Sequence, residues 1–261
     1  MTFINREDRG GVAYLTMCSP KNLNALSDGM IAALQGQFDD LAQDTSIRVI
    51  VLAGDGKAFC AGHDLKEMTK GRAHDDGGKA YFADLFARCA TMMQTIPRLP
   101  QPVIAQVHGI ATAAGCQLVA SCDMAVAAED TKFGVNGVNI GLFCSTPMVA
   151  LSRNIPRKQA FEMLTTGGFI DARRAAELGL INRAVPLEAL HAETAGLAEL
   201  VASKLRYAVK VGKQAFYEQL QMPLDQAYDF TGQVIVDNMM HKETEEGIQA
   251  FIEKREPDWD Q

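Results

Sequence analysis

The stretch Ile47-Arg48-Val49-Ile50-Val51-Leu52-Ala53-Gly54-Asp55-Gly56-Lys57-Ala58-Phe59-Cys60-Ala61-Gly62-His63-Asp64-Leu65-Lys66-Glu67-Met68 decides the fold. Its first seven residues are a near-continuous β-branched run, which reads as a strand buried on both faces. From Gly54 to Asp64 small residues and glycine take over, which reads as a loop. A strand of this kind belongs in a mainly parallel sheet with helices packed on it.

Working outward, strands and helices alternate. Residues 11–17 read as a strand. Ser27 is a candidate N-cap, followed by Met30, Ile31, Leu34, Phe38 and Leu41 at helical spacing. The spacing predicts a helix over 79–96, ended by Pro97 and Pro100. Strands at 102–107 and 124–128 flank a small-residue helix at 113–121. After about Pro156 the pattern changes to helices over 158–164, 171–178, 187–205, 208–220, 224–240 and 243–254, interrupted by an extended piece at 180–185. The fold class is therefore α/β, with a helical C-terminal part. Residues 69–79, with three glycines among alternating charges, read as a mobile loop of the kind that covers a substrate tail.

Composition sets outer bounds. The chain has 261 residues, 48% apolar and 22% charged, enough to bury roughly three quarters of its unfolded surface without a disulfide or metal staple. With 25 Lys+Arg against 32 Asp+Glu the net charge is −7, which disfavours a nucleic-acid partner. No apolar run reaches the ~18 residues of a membrane span. The start is polar within five residues and lacks an apolar signal core. These features lead to the expectation of a cytoplasmic protein with no membrane partner. The six cysteines (Cys18, Cys60, Cys89, Cys116, Cys122, Cys144) form no C-x-x-C pair and are expected to be reduced and mostly buried. The five histidines are scattered, so no metal site is expected.

Two segments each carry small residues from a strand toward a helix start: 54–68, and Val107-His108-Gly109-Ile110-Ala111-Thr112-Ala113-Ala114-Gly115-Cys116-Gln117-Leu118. N–H groups at a helix start have no intrahelical partner and lie at the positive end of the dipole. Two of them converging on one point make an oxyanion hole. Neither segment is a dinucleotide fingerprint or a phosphate loop.

Taken together, these segments resemble the crotonase superfamily of enoyl-CoA hydratases and isomerases. Ser19-Pro20-Lys21-Asn22-Leu23-Asn24-Ala25-Leu26 is similar to the family's first CoA-contacting loop. Ala58-Phe59-Cys60-Ala61-Gly62-His63-Asp64-Leu65-Lys66-Glu67 is similar to its A-F-x-A-G-x-D-[IL]-x-E signature. Residues 102–109 lead into its second loop, and Phe251-Ile252-Glu253-Lys254-Arg255 is similar to its C-terminal F-x-E-K-R. The resemblance implies a stacked ββα spiral core that binds acyl-CoA (1–200) and a helical C-terminal trimerisation region (201–261). It implies that the N–H groups of His63 and Ala114 form the oxyanion hole. It implies CoA contacts at Lys21, Leu23, Ala61, Asp64, Leu65, Phe251 and Lys254. It also implies a CoA thioester as substrate, no tightly bound cofactor, and a homo-oligomer, either a trimer or a dimer of trimers.

The departures from the family are as informative. Its hydratases use two glutamates to handle water, and this chain has Gln117 and Gly137 at those positions. An amide cannot accept a proton and glycine has no side chain, so efficient hydration is not expected; losing one general acid/base costs ~10²–10⁴-fold. The aspartate of the dienoyl isomerase variant falls at Ser145. What remains near the site is His63, Asp64, Cys116, Asn136, Asn139, Cys144 and Ser145. Of these His63 titrates near neutrality, unless only its N–H is used and the ring faces solvent or CoA. Cys116 and Cys144 read as small buried fillers. Asn136 or Asn139 could orient a polar group of the substrate. Three readings follow: an acyl-CoA lyase or isomerase with altered acid/base groups, a malonyl-CoA-type decarboxylase, or an acyl-CoA-binding protein without turnover. Ala61-Gly62-His63-Asp64 resembles the family's methylmalonyl-CoA decarboxylase, which has tyrosine where this chain has Cys144.

Overall fold

The computed structural model describes residues 2–259. β1 (Ile4–Arg9) and β2 (Val12–Met17) form an antiparallel hairpin turned by Gly10 and Gly11, both at positive φ as such a two-residue turn requires. The Ser27 hydroxyl accepts from the Met30 N–H at 3.1 Å and starts α1 (Asp28–Gln43), whose expected stripe from Met30 to Leu41 is buried. There follow β3 (Val49–Gly54), α2 (Leu65–Gly71), α3 (Lys79–Arg98), β4 (Val103–Val107), β5 (Ile110–Thr112), α4 (Ala114–Ser121), β6 (Met124–Ala128) and β7 (Lys132–Gly134). The rest comprises α5 (Pro147–Asn154), α6 (Arg157–Thr166), β8 (Phe169–Asp171), α7 (Ala172–Leu178), β9 (Arg183–Val185), α8 (Leu190–Ala202), α9 (Arg206–Gln219), α10 (Leu224–Met239) and α11 (Lys242–Glu253).

Six strands make the main sheet in the order β1-β2-β3-β4-β6-β9, parallel from β2 onward. β3 is buried on both faces, as its run of branched residues predicts. Ile50 and Leu52 join the main core with α1, α3 and α4, while Val49 and Val51 face Ala198 and Ala202 of α8 on the other side. A second sheet, β5-β7-β8, lies beyond the ends of the first. Each turn of the chain contributes one strand to each sheet and then a helix: β4, β5 and α4, then β6, β7 and α5. Residues 58–63 play the small-sheet part after β3, since Cys60 bridges to Ala111 of β5. This is the stacked ββα spiral.

Several expectations are corrected. α3 runs through Pro97 to Arg98, because a proline in the last turn removes one bond without stopping the helix. β5, β7 and β8 have three residues each, too short to show a period of two. Residues 69–79 are not simply a loop. α2 extends to Gly71, and the Asp76 carboxylate accepts from the Gly78 and Ala80 N–H groups at 2.9 and 2.8 Å, starting α3.

α9 is locked to the core by a buried lysine. The Lys213 ammonium donates to the Ile96 and Gln101 carbonyls, each at 2.8 Å, and to Asp123 at 2.7 Å; the Tyr217 hydroxyl donates to Asp123 at 2.8 Å. Burial pushes the Lys213 pKa down and Asp123 opposes it. Beyond α9 the packing thins. Leu224, Tyr228, Ile235, Val236 and Met239 on α10, Met240 just after it, and Phe251 and Ile252 on α11 are exposed.

Candidate active site

Two loops mesh at the junction of the sheets. The Leu26 N–H donates to the Gly62 carbonyl at 2.7 Å, and the Ala61 N–H to the Leu23 carbonyl at 3.0 Å. Asn24, fully buried, holds the first loop in place. Its Oδ1 accepts from the Ser19 N–H at 2.9 Å, and its Nδ2 donates to the Asp55 and Ala58 carbonyls, each at 2.8 Å. Across the junction the Thr112 N–H donates to the Cys60 carbonyl at 3.0 Å. A Cβ on Gly62, at φ +91°, would lie 3.0 Å from the Ala113 Cβ; a Cβ on Gly115 would lie 2.1 Å from the Cys60 carbonyl oxygen. Only glycine permits this contact of backbone on backbone.

Between the loops, the N–H groups of His63 and Ala114 find no hydrogen-bond partner among the described residues. Ala114 is the first residue of α4, and its N–H adds the positive end of the helix dipole. Ala113, immediately before it, sits at φ +50°, ψ −119°. An L-residue there is strained by ~1–3 kcal/mol, and such strain persists where the surroundings impose it. Nothing in Thr112-Ala113-Ala114 signals this conformation in the sequence, and Ala113 escaped the sequence reading. Free N–H donors of this kind are what a carbonyl oxygen acquiring negative charge requires.

The side-chain half of the site is different. Gln117 is 5% exposed, and its Oε1 is buried without a partner. Gly137, in a short 3₁₀ segment (Asn136–Ile140), is closed over. Its N–H donates to the Cys144 Sγ at 3.3 Å and its carbonyl accepts from the Leu142 N–H at 2.9 Å. A Cβ at 137 would stand 2.3 Å from the Leu142 carbonyl oxygen and 2.8 Å from the Cys144 Sγ. No carboxylate can be presented from this position without moving the loop. Burial pushes the Cys144 thiol up, and the Cys116 thiol up to about 12, so both are inert fillers. The Asn136 Oδ1 accepts from the Thr112 hydroxyl at 2.6 Å, tying the two loops. Asn139 turns away to the Gly167 carbonyl at 3.4 Å, and Ser145 to the Phe143 carbonyl at 3.4 Å.

The His63 ring is half-buried. It meets Phe86 of α3 edge-on at 5.4 Å, with Nδ1 3.4 Å from the Leu26 carbonyl and Nε2 buried without a partner. Burial lowers its pKa, with the Leu26 carbonyl and Asp28 opposing. The other expected positions divide into two groups. Lys21, Leu23, Ala61, Asp64 and Leu65 lie on the first loop and on the segment around His63, which are joined by the Ala61 N–H to Leu23 carbonyl bond. There the Asp64 carboxylate caps α2, accepting from the Lys66 and Glu67 N–H groups at 2.8 and 3.3 Å, while Lys21 and Leu65 are exposed. Phe251, 85% exposed, and Lys254 lie at the end of α11. Among the described residues no hydrogen bond joins either to the two loops.

The enoyl-CoA hydratase/isomerase family profile matches residues 7–261. The chain is 45% identical over 249 residues to the mouse enoyl-CoA hydratase domain-containing protein 3, mitochondrial, covering 95% of this chain and 81% of that one. It is similar to a solved enoyl-CoA hydratase of Mycobacterium smegmatis, with 52% identity, full coverage of both chains and a TM-score of 0.96. The human domain-containing protein 3 superposes with a TM-score of 0.94 at 44% identity, over 98% of this chain and 100% of that one. These relatives correct one expectation. The mouse, rat and human proteins are all named mitochondrial, which overturns the cytoplasmic reading. A polar start was a poor guide to compartment. By profile, by relatives and by fold, the chain belongs to the enoyl-CoA hydratase/isomerase family.

Proposed function

We propose that this chain is an acyl-CoA-binding enzyme that grips a thioester carbonyl between the His63 and Ala114 N–H groups and stabilises the enolate that forms there. The observation that carries this reading is the pair of unpartnered N–H groups between loops that mesh at Gly62, Ala113 and Gly115. Fixed dipoles aimed at a developing charge need no reorganisation during reaction, and removing one donor of such a hole costs ~10²–10³-fold. In this reading Lys21, Leu23, Ala61, Asp64 and Leu65 hold CoA at the rim. Phe251 and Lys254 contact CoA from α11, in this chain or a neighbouring one. The net charge of −7 repels an anionic ligand, so Lys21 and Lys254 act as local point charges. The thioester is substrate, and no resident cofactor takes part. The exposed apolar residues of α10 and α11 favour a trimer or a dimer of trimers.

Efficient hydration is not part of the proposal, since Gln117 and Gly137 supply no acid or base. The closure over Gly137 favours a second reading, decarboxylation of a malonyl-CoA-type substrate. Loss of CO₂ yields the enolate directly and needs the hole but no base. The test compares crotonyl-CoA, methylmalonyl-CoA and a saturated acyl-CoA on the purified protein. Enolate chemistry with hydration at least ~10²-fold below an ordinary hydratase is the expected outcome. CO₂ release selects the second reading. Binding of all three without product would show a non-catalytic acyl-CoA-binding protein, and hydration at an ordinary rate would overturn the assignment of Gln117 and Gly137.

A further inference from the structure

Each of the two free N–H groups belongs to a peptide whose carbonyl is already held. The Gly62 carbonyl accepts from the Leu26 N–H at 2.7 Å, and the Ala113 carbonyl accepts from the Gln117 N–H at 3.0 Å. In a trans peptide the N–H points away from the carbonyl, so these bonds turn the His63 and Ala114 N–H groups to the side that Leu26 and Gln117 leave open. The two peptides are close. A Cβ on Gly62 would lie 3.4 Å from the Ala114 nitrogen and 3.0 Å from the Ala113 Cβ. The Ala113 methyl thus stands against Gly62, beside the peptide that carries the His63 N–H.

The backbone of Ala113 is costly. Its φ of +50° and ψ of −119° are the mirror image of the extended region, which glycine enters freely and an L-residue does not. At the same φ an alanine relaxes to ψ near about +47°, which would swing the Ala113–Ala114 peptide through roughly half a turn and carry the Ala114 N–H to the opposite side. The Ala113 N–H, donated to the Gly134 carbonyl at 2.9 Å, and the bond from Gln117 hold the residue against this. Glycine would keep the same angles without strain; what it would lack is the methyl on Gly62. We propose that Ala113 is a positioning residue for both donors: its ψ aims the Ala114 N–H, and its methyl fixes the peptide that carries the His63 N–H. It acts on a thioester carbonyl only through those N–H groups, so the inference rests on the acyl-CoA reading above.

The test compares wild type, Ala113→Gly and Ala113→Ser by urea unfolding, by difference infrared spectra of carbonyl-labelled butyryl-CoA, and by calorimetric dissociation constants for butyryl-CoA and CoA. A residue that serves stability alone moves stability and carbonyl signal together. Here the two are expected to part. Ala113→Gly should unfold at the same or a higher urea concentration, yet its bound carbonyl should shift less than in wild type. Its preference for butyryl-CoA over CoA should fall roughly two- to tenfold, the loss of about one hydrogen bond. Ala113→Ser keeps the Cβ and should keep the wild-type shift. A wild-type shift and preference in Ala113→Gly would overturn the inference, as would a lowered unfolding midpoint together with a lowered shift, or a reduced shift in folded Ala113→Ser. Ala113→Gly decides even if Ala113→Ser folds poorly. If wild type binds neither CoA nor butyryl-CoA, or binds the thioester with no carbonyl shift, the acyl-CoA reading itself falls.

Discussion

The two free N–H groups and the Gly137 position lie on adjoining loops, yet their surroundings are built in opposite ways. At Gly62, Ala113 and Gly115 backbone presses on backbone and leaves two N–H groups free. At Gly137 backbone and sulfur fill the space where a side chain would begin. The first region needs only main-chain atoms in fixed positions. The second needs particular side chains, and a single glycine with a closed loop erases it.

That contrast can be broken most violently at Gly115. Gly115→Ala sets a methyl 2.1 Å from the Cys60 carbonyl oxygen, so the loops must part. A loss of about 3 kcal/mol or more is expected in urea unfolding, together with loss of turnover. Gly137→Ala meets a carbonyl and a thiol in a loop that can shift, and the expected loss is ~1–3 kcal/mol. Gly137→Glu should not raise hydration of crotonyl-CoA, because the loop has no room to present the carboxylate; a rise would show the region is open.

A smaller effect is expected from pH. Burial lowers the folded-state pKa of His63, so the unfolded chain takes up the proton first as pH falls below about 6.5. Above that value both states are neutral and the group is silent. Between pH 7 and 5 the melting temperature should fall, and His63→Phe, which keeps an aromatic ring beside Phe86, should remove part of that slope. An unchanged slope would mean the ring is not buried. Smallest is Ala113→Gly, which relieves the φ of +50° but gains freedom in the unfolded chain. A net gain of up to about 1 kcal/mol is expected in the same urea measurement, and a loss would show that the alanine is not strained.

Strands β2, β3, β4 and β6 of the main sheet and α1 were legible in the sequence, because burial on two faces leaves a run such as Val49–Leu52 and a cap followed by a 3.6-residue stripe marks a helix from Ser27 to Leu41; the edge strand β1, mostly exposed, was not. The small sheet was not legible, since β5, β7 and β8 have three residues each and draw their burial from neighbours distant in sequence. The glycines and the strand-to-helix order of the two loops could be read in the sequence, but the positive φ of Ala113 could not, because no local pattern encodes it. Gly137 announced a missing side chain. That Cys144 and the Leu142 carbonyl occupy its place is a fact of tertiary packing. Compartment was not legible at all, and the polar start misled.

The central claim is that the backbone hole persists where the acids do not, and the carbonyl of a bound thioester reports on it directly. Difference infrared spectra of [1-¹³C]butyryl-CoA should show the carbonyl stretch at lower frequency bound than free. The shift should be absent in Ala114→Pro, with folding followed by circular dichroism because the proline also constrains Ala113. A bound carbonyl stretch equal to that of the free thioester in the wild-type protein would contradict the account.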